Sequence, residues 1–194
     1  MAKQTDEYYI EKTLHGDANA FAFLVERYKN MVFTLAVKMT RSREDAEEIS
    51  QDSFIKVYKY LSKFKGDSKF STWLYKISYN TCLDYIKKNA YQRNNVVIDD
   101  VTENQLASVE TILDGIEKEE RATVINTCLE QLAEDEKAVL VFFYFKELSL
   151  KEIVTITSIS ETNVKVKLHR ARKKLLSIVK NTVEPEIINH YGRR

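Results

Sequence analysis

Apolar residues recur every three to four positions through most of the chain. Phe21, Phe23, Leu24, Tyr28, Val32, Leu35 and Met39 mark one face of a helix that begins near Asp17. Ser42-Arg-Glu-Asp45 follows as a second start signal, an N-cap residue with acids in the first turn. Ile49, Phe54, Ile55, Tyr58 and Leu61 continue that helix, and Lys65-Gly66-Asp67-Ser68 reads as a loop. A third helix is predicted from about Ser71 to Lys88. The period is then lost over an Asn- and acid-rich stretch and resumes at Glu117, through Val124, Cys128, Leu129, Leu132 and Val139 to Phe145. The pattern predicts an all-α protein of two small helical domains, residues 1–90 and 117–182. A flexible acidic linker (91–116) joins them, and a tail (183–194) follows. As a coil the linker spans on the order of 30 Å.

Composition agrees with helices. Of 194 residues, 4 are Gly and 1 is Pro, too few turn-formers for a many-stranded β fold or for Gly-rich phosphate loops. No apolar run approaches the ~20 residues of a membrane span, and the N-terminus has no secretory h-region, so a soluble, cytoplasmic protein without membrane insertion is expected. Cys82 and Cys128 lack metal-ligand spacing, and neither His15 nor His190 gives His169 a metal-spaced partner. No metal, cofactor or small-molecule substrate is expected.

The net charge of +1 conceals a pattern. Residues 61–88 hold six Lys against Asp67 and Asp84; residues 89–125 hold three bases and eight acids; residues 162–180 hold seven bases and no acid. Two basic segments flanking an acidic one suit a polyanion touched at two places.

The second basic segment has a recognisable layout. Ser149-Leu-Lys-Glu152 is a capping box opening a short helix with Ile153, Val154 and Ile156 on its apolar side. Thr157–Ser160 breaks it, and Ser160 caps a longer helix. At 100° per residue Val164, Leu168, Ala171 and Leu175 share one face. Thr162, Val166, His169, Arg170 and Lys173 point away, with Asn163 and Lys165 on the flanks. A short helix, a turn and a basic second helix form a helix-turn-helix, the layout of a major-groove reader. Arg172, Lys173 and Lys174, further from the helix start, suit phosphates more than bases. On the Ser71–Lys88 helix, Lys69, Trp73, Lys76, Asn80, Asp84 and Lys87 form one stripe, with Leu74, Tyr75, Cys82, Tyr85 and Ile86 opposite. Phe64, Lys65, Ser68, Lys69 and Phe70 precede it. Bases alternating with aromatics suit unpaired nucleotides; the same aromatics at helical spacing equally suit a core.

These strings resemble a known family. Asp45-Ala-Glu-Glu-Ile-Ser-Gln-Asp-Ser-Phe54, then Phe64-Lys-Gly…Phe70-Ser-Thr-Trp73-Leu-Tyr-Lys-Ile77 and Asn80…Asp84…Lys87-Lys88 resemble the first domain of bacterial RNA polymerase sigma factors. Leu148-Ser-Leu-Lys-Glu152-Ile and Thr162-Asn-Val-Lys165-Val-Lys167-Leu-His169-Arg170-Ala171-Arg172 resemble their last. The two-domain form resembles the extracytoplasmic-function (ECF) group. The resemblance implies a specificity subunit of RNA polymerase, without catalytic residues, that directs promoter recognition and strand opening. Asp45, Glu48, Gln51, Asp52 and Ile55 would clamp the core enzyme. Phe64, Lys65, Ser68, Lys69, Phe70, Trp73, Lys76, Asn80, Asp84, Lys87 and Lys88 would open and read the −10 element. Thr162, Asn163, Lys165, Val166, Lys167, His169, Arg170, Arg172 and Lys173 would meet the −35 element. The implied partners are core RNA polymerase, promoter DNA and an anti-sigma factor. Two departures stand out. Thr157 and Ser158 occupy the turn where relatives usually carry Gly, and Lys87, Lys88 and Lys167 stand where many carry Arg. The alternative is a stand-alone helix-turn-helix regulator; a nuclease using Glu44, Asp45, Glu48 and Asp52 is disfavoured because one helix supplies every carboxylate.

Overall fold

A computed structural model describes residues 4–40, 42–89 and 118–182; the linker and tail predicted from sequence lie outside the described residues. Every regular element among the described residues is helical. They divide into two compact units, one drawn from Met1–Asn94 and Lys151–Ile159, the other from Asn95–Leu150 and Ser160–Arg194.

The first unit contains α1 (Asp6–Leu14), α2 (Ala18–Thr40), α3 (Arg43–Tyr60), a 3₁₀ turn (Leu61–Lys63) and α4 (Phe70–Asn89). Helix α1 precedes the start expected near Asp17. Its N-cap Thr5 accepts from the Tyr8 N–H at 3.4 Å, and Asp6 and Glu7 favour its positive end. Gly16 (φ 96°) separates it from α2, where Asp17 Oδ1 caps by accepting from the Asn19 and Ala20 N–H groups. Ser42 caps α3 through the Asp45 N–H at 3.1 Å. Ile10, Leu24, Val32, Phe54, Val57, Leu61, Phe70 and Leu74 fill the core, drawn from all four helices and the turn. Removing these side chains from water drives the packing. Phe23 departs from its expected place on the buried face of α2. It is 57% exposed and stacks on Tyr9 of the unforeseen α1, with ring centroids 4.9 Å apart.

The second unit contains α5 (Lys118–Leu129), α6 (Glu134–Leu140), a π-helical segment (Val141–Phe145) and α8 (Glu161–Thr182). Cys128, Leu132, Val139, Phe142, Val164, Leu168, Ala171 and Val179 are buried. Between the last two elements in sequence runs α7 (Leu150–Thr157), with Ile153 and Ile156 buried. Ser158 ends α7 at φ 60°, its N–H bonded to the Val154 carbonyl at 2.8 Å. This is the left-handed conformation a glycine adopts freely.

Candidate nucleic-acid interface

Helix α4 carries its stripe as the periodicity predicts. Lys69, Asn80, Asp84, Lys87 and Lys88 are exposed, Trp73 and Lys76 are half-buried, and Leu74, Tyr75 and Cys82 on the opposite side are buried. Gly66 (φ 78°) turns the preceding loop, in which Lys65 is exposed and Ser68 half-buried. Phe64 and Trp73 lie with ring centroids 5.3 Å apart, partly buried against the core. Each therefore keeps an outer edge in water.

Phe70 is corrected from a nucleotide contact to a core residue. It is 2% exposed, 5.5 Å from the Tyr28 ring and 5.7 and 5.9 Å from Phe64 and Trp73. Its first-turn position on α4 points inward, so its ring packs against those of Phe64 and Trp73.

Helix α3 exposes Glu48, Gln51, Asp52 and Ile55, the last at 64%. Asp45 is half-buried and accepts from the Tyr85 hydroxyl of α4, whose proton is held more tightly for that reason and, secondarily, through its burial. Its place among the apolar positions of α4 predicts a core residue; Tyr85 is instead half-buried with its hydroxyl on Asp45. Lys56 makes a second tie between the helices, donating to Thr81 Oγ1 at 3.1 Å and lying 4.0 Å from Asp84. Tyr58, 51% exposed one turn beyond Ile55, extends the apolar end of this face. It was legible only as a helical apolar position.

On α8 the predicted faces separate. Val164, Leu168 and Ala171 are buried; Thr162, Asn163, Lys165, Val166, His169 and Arg170 are exposed; Lys173 is half-buried. Ser160 caps the helix through the Asn163 N–H at 3.3 Å. Lys165 pairs with Glu161 along the helix at 2.7 Å, and two further predicted contacts are engaged by other elements of the unit. Lys167 ion-pairs with Asp135 of α6. The Arg172 guanidinium lies 5.7 and 5.3 Å from the Phe143 and Tyr144 ring centroids, its Nε sealed from solvent. Both side chains leave α8 on the flank beside α6 and the π segment, an orientation that charge counting along one helix does not reveal.

Comparison with known proteins accords with this geometry. Residues 24–91 match the family described as Sigma-70 region 2, and residues 123–175 match Sigma-70, region 4. The ECF RNA polymerase sigma factor SigW of Bacillus subtilis is 33% identical over 174 residues, covering 86% of this chain and 92% of that protein. The ECF RNA polymerase sigma-E factor of Haemophilus influenzae is 31% identical over 192 residues, covering 95% and 99%. The solved structure of the sigma factor RpoE in complex with the anti-sigma factor NepR from Bartonella quintana shares the fold. Its TM-score is 0.63 at 18% identity, over 82% of this chain and 96% of that one. No helix among the described residues is long and apolar enough to cross a membrane. With both domain types in order and relatives matched nearly end to end, the chain belongs to the ECF group of RNA polymerase sigma factors.

Proposed function

We propose that this sigma factor binds core RNA polymerase through the exposed face of α3, Glu48, Gln51, Asp52 and Ile55 with Tyr58 and Asp45 at its margins. Promoter DNA is held at two further places. The −10 element meets Phe64, Lys65, Ser68, Lys69, Trp73, Lys76, Asn80, Asp84, Lys87 and Lys88, and the −35 element meets Thr162, Asn163, Lys165, Val166, His169, Arg170 and Lys173. The observation that carries the reading is the stripe on α4, where bases, an amide and an aromatic face water on one side of a helix whose other side is core.

Physical chemistry supplies the mechanism. Each DNA contact alone is weak; fixed together on core polymerase they act through effective concentration. Stacking of unpaired bases on Trp73 and Phe64 offsets the few kcal/mol that unpairing costs. No bond is made or broken by this chain. The boundaries 1–90 and 117–182 serve as working domains, supported by family matches that fall almost wholly inside them. A cytoplasmic location follows from the partner. An anti-sigma factor is a further expected partner, by likeness to the relative solved with one. Run-off transcription tests the function. Core polymerase should initiate at specific sites only when this protein is added; core that initiates equally without it, or not at all with it, overturns the reading.

A further inference from the structure

One surface is left unused by these assignments, at the C-terminal end of α3. Tyr60 closes that helix and is 38% exposed. The Lys63 ammonium lies 4.9 Å from its ring centroid and the Lys59 ammonium 5.8 Å. Lys59, Lys63 and Lys65 are exposed, and among the described residues none has a carboxylate within ion-pair distance. Residues 56–69 contain five lysines and a single acid, Asp67. Within that segment Lys56 and Lys69 each face a carboxylate, so Lys59, Lys63 and Lys65 are the ones left over.

The backbone beneath Tyr60 is fixed. Leu61 is 1% exposed and sits in the core with Ile10, and the Phe64 N–H closes the turn on the Leu61 carbonyl at 3.0 Å. An aromatic ring is thus held on a hydrogen-bonded turn with two ammonium groups over it, four residues before the loop that carries Phe64 and Lys65; both sit on flexible stems that can swing aside. Two like charges drawn to one ring repel each other, and an anion between them relieves that repulsion. A nucleotide supplies both needed parts, a base that stacks on the ring and phosphates that meet the ammoniums.

We propose that Tyr60, flanked by Lys59 and Lys63, holds one further unpaired nucleotide of the promoter strand, separate from those assigned to Phe64 and Trp73. The inference rests on the function proposed above. Its partner is single-stranded DNA.

The test uses full-length protein bound to core polymerase and a single-stranded promoter oligonucleotide titrated at several salt concentrations. Tyr60→Leu should weaken binding about tenfold, and Tyr60→Phe should stay within about twofold of the unaltered protein, because stacking needs the ring and not the hydroxyl. Lys59→Gln combined with Lys63→Gln should flatten the log–log salt slope by about 1.4, two single-strand phosphates at about 0.7 each. Far-UV circular dichroism and core binding should match the unaltered protein for all variants. Trp73→Ala is the reference. If it weakens binding while Tyr60→Leu does not, the Tyr60 site is overturned and the proposed function stands. An effect of the lysine pair without one of Tyr60→Leu means phosphate contact alone and also overturns it. If neither Trp73→Ala nor Tyr60→Leu changes binding, the functional reading fails and this inference with it.

Discussion

The ammonium of Lys167 on α8 rests against the Asp135 carboxylate of α6, so a lysine predicted to meet DNA is held by its own domain. Asp135→Asn should release it. In complex with core polymerase, binding to a duplex bearing the −35 element should tighten, and the salt slope should steepen by about 0.9, the share of one added phosphate. An unchanged slope in anisotropy titrations would count against a reserve role for Lys167. Arg170, exposed on the same helix, should lose more affinity on replacement by Ala than Lys167 does.

Asp45 and Asp52 share a helix face but differ in their ties. Asp52 is exposed, whereas Asp45 accepts from Tyr85. Asp52→Ala should weaken core binding about tenfold, the value of one charge-assisted contact of about 1.4 kcal/mol. Tyr85→Phe removes the internal bond while sparing the carboxylate, and should leave core affinity equal or higher. Competition for core against an unrelated sigma factor measures both, and a tenfold loss in Tyr85→Phe would show that the internal bond positions Asp45 for polymerase.

Ser158 pays a local cost at the turn before α8. Its φ of 60° is unfavourable for an L residue by about 1–2 kcal/mol, a cost absent in glycine. Ser158→Gly should therefore stabilise the chain by about 1 kcal/mol after the greater backbone freedom of glycine in the unfolded state is set against that relief. Ser158→Val should destabilise by more. Urea denaturation followed by circular dichroism decides; a destabilised Ser158→Gly would refute the assignment of strain.

Alkaline pH offers a test of the first unit's core. Burial raises the Tyr75 phenol from its ordinary value of 10.0 to about 12, and burial together with Asp6 raises Tyr28 as well. A group whose folded pKa lies above its unfolded value binds more protons when folded, so its stabilisation is complete below pH 10 and is lost as pH rises toward 12. For Tyr75 the loss is on the order of 2–3 kcal/mol, at 1.36 kcal/mol per pH unit. Tyr75→Phe should flatten the fall in stability over that window. Absorbance of tyrosinate against pH reads the titration directly, and ordinary titration of every tyrosine near pH 10 in the folded state would contradict it.

Legibility in the sequence followed the range of the forces involved. Period and cap residues are local, so α2, α3, α4 and the buried face of α8 could be read from positions such as Leu24, Val57, Leu74 and Val164. What escaped depended on partners distant in sequence. Phe23 appeared apolar and therefore internal, until Tyr9 of α1 gave it a stacking partner near the surface. Phe70 alternated with bases like a nucleotide contact, yet the rings of Tyr28, Phe64 and Trp73 enclose it. Lys167 and Arg172 counted as free cations because nothing in α8 itself shows that Asp135, Phe143 and Tyr144 lie beside them. Ser158 is an instructive middle case: the missing glycine was visible, and only the backbone showed that serine adopts the glycine conformation anyway.

Helix α1 carries a consequence of its own. At nine residues it is shorter than the ~12–15 needed for an isolated helix to persist in water. It is kept by Ile10 in the core, by the Asp6 carboxylate accepting from Arg27 and Tyr28, and by the Arg27 bond to the Gln4 carbonyl at 2.8 Å. Such a helix docks as a cooperative unit distinct from the three long helices. Its amides should exchange with solvent deuterons through a partial opening that leaves α2 to α4 protected. Each opening bares the Leu24 and Leu61 side of the core, setting how long that surface is available to a protease.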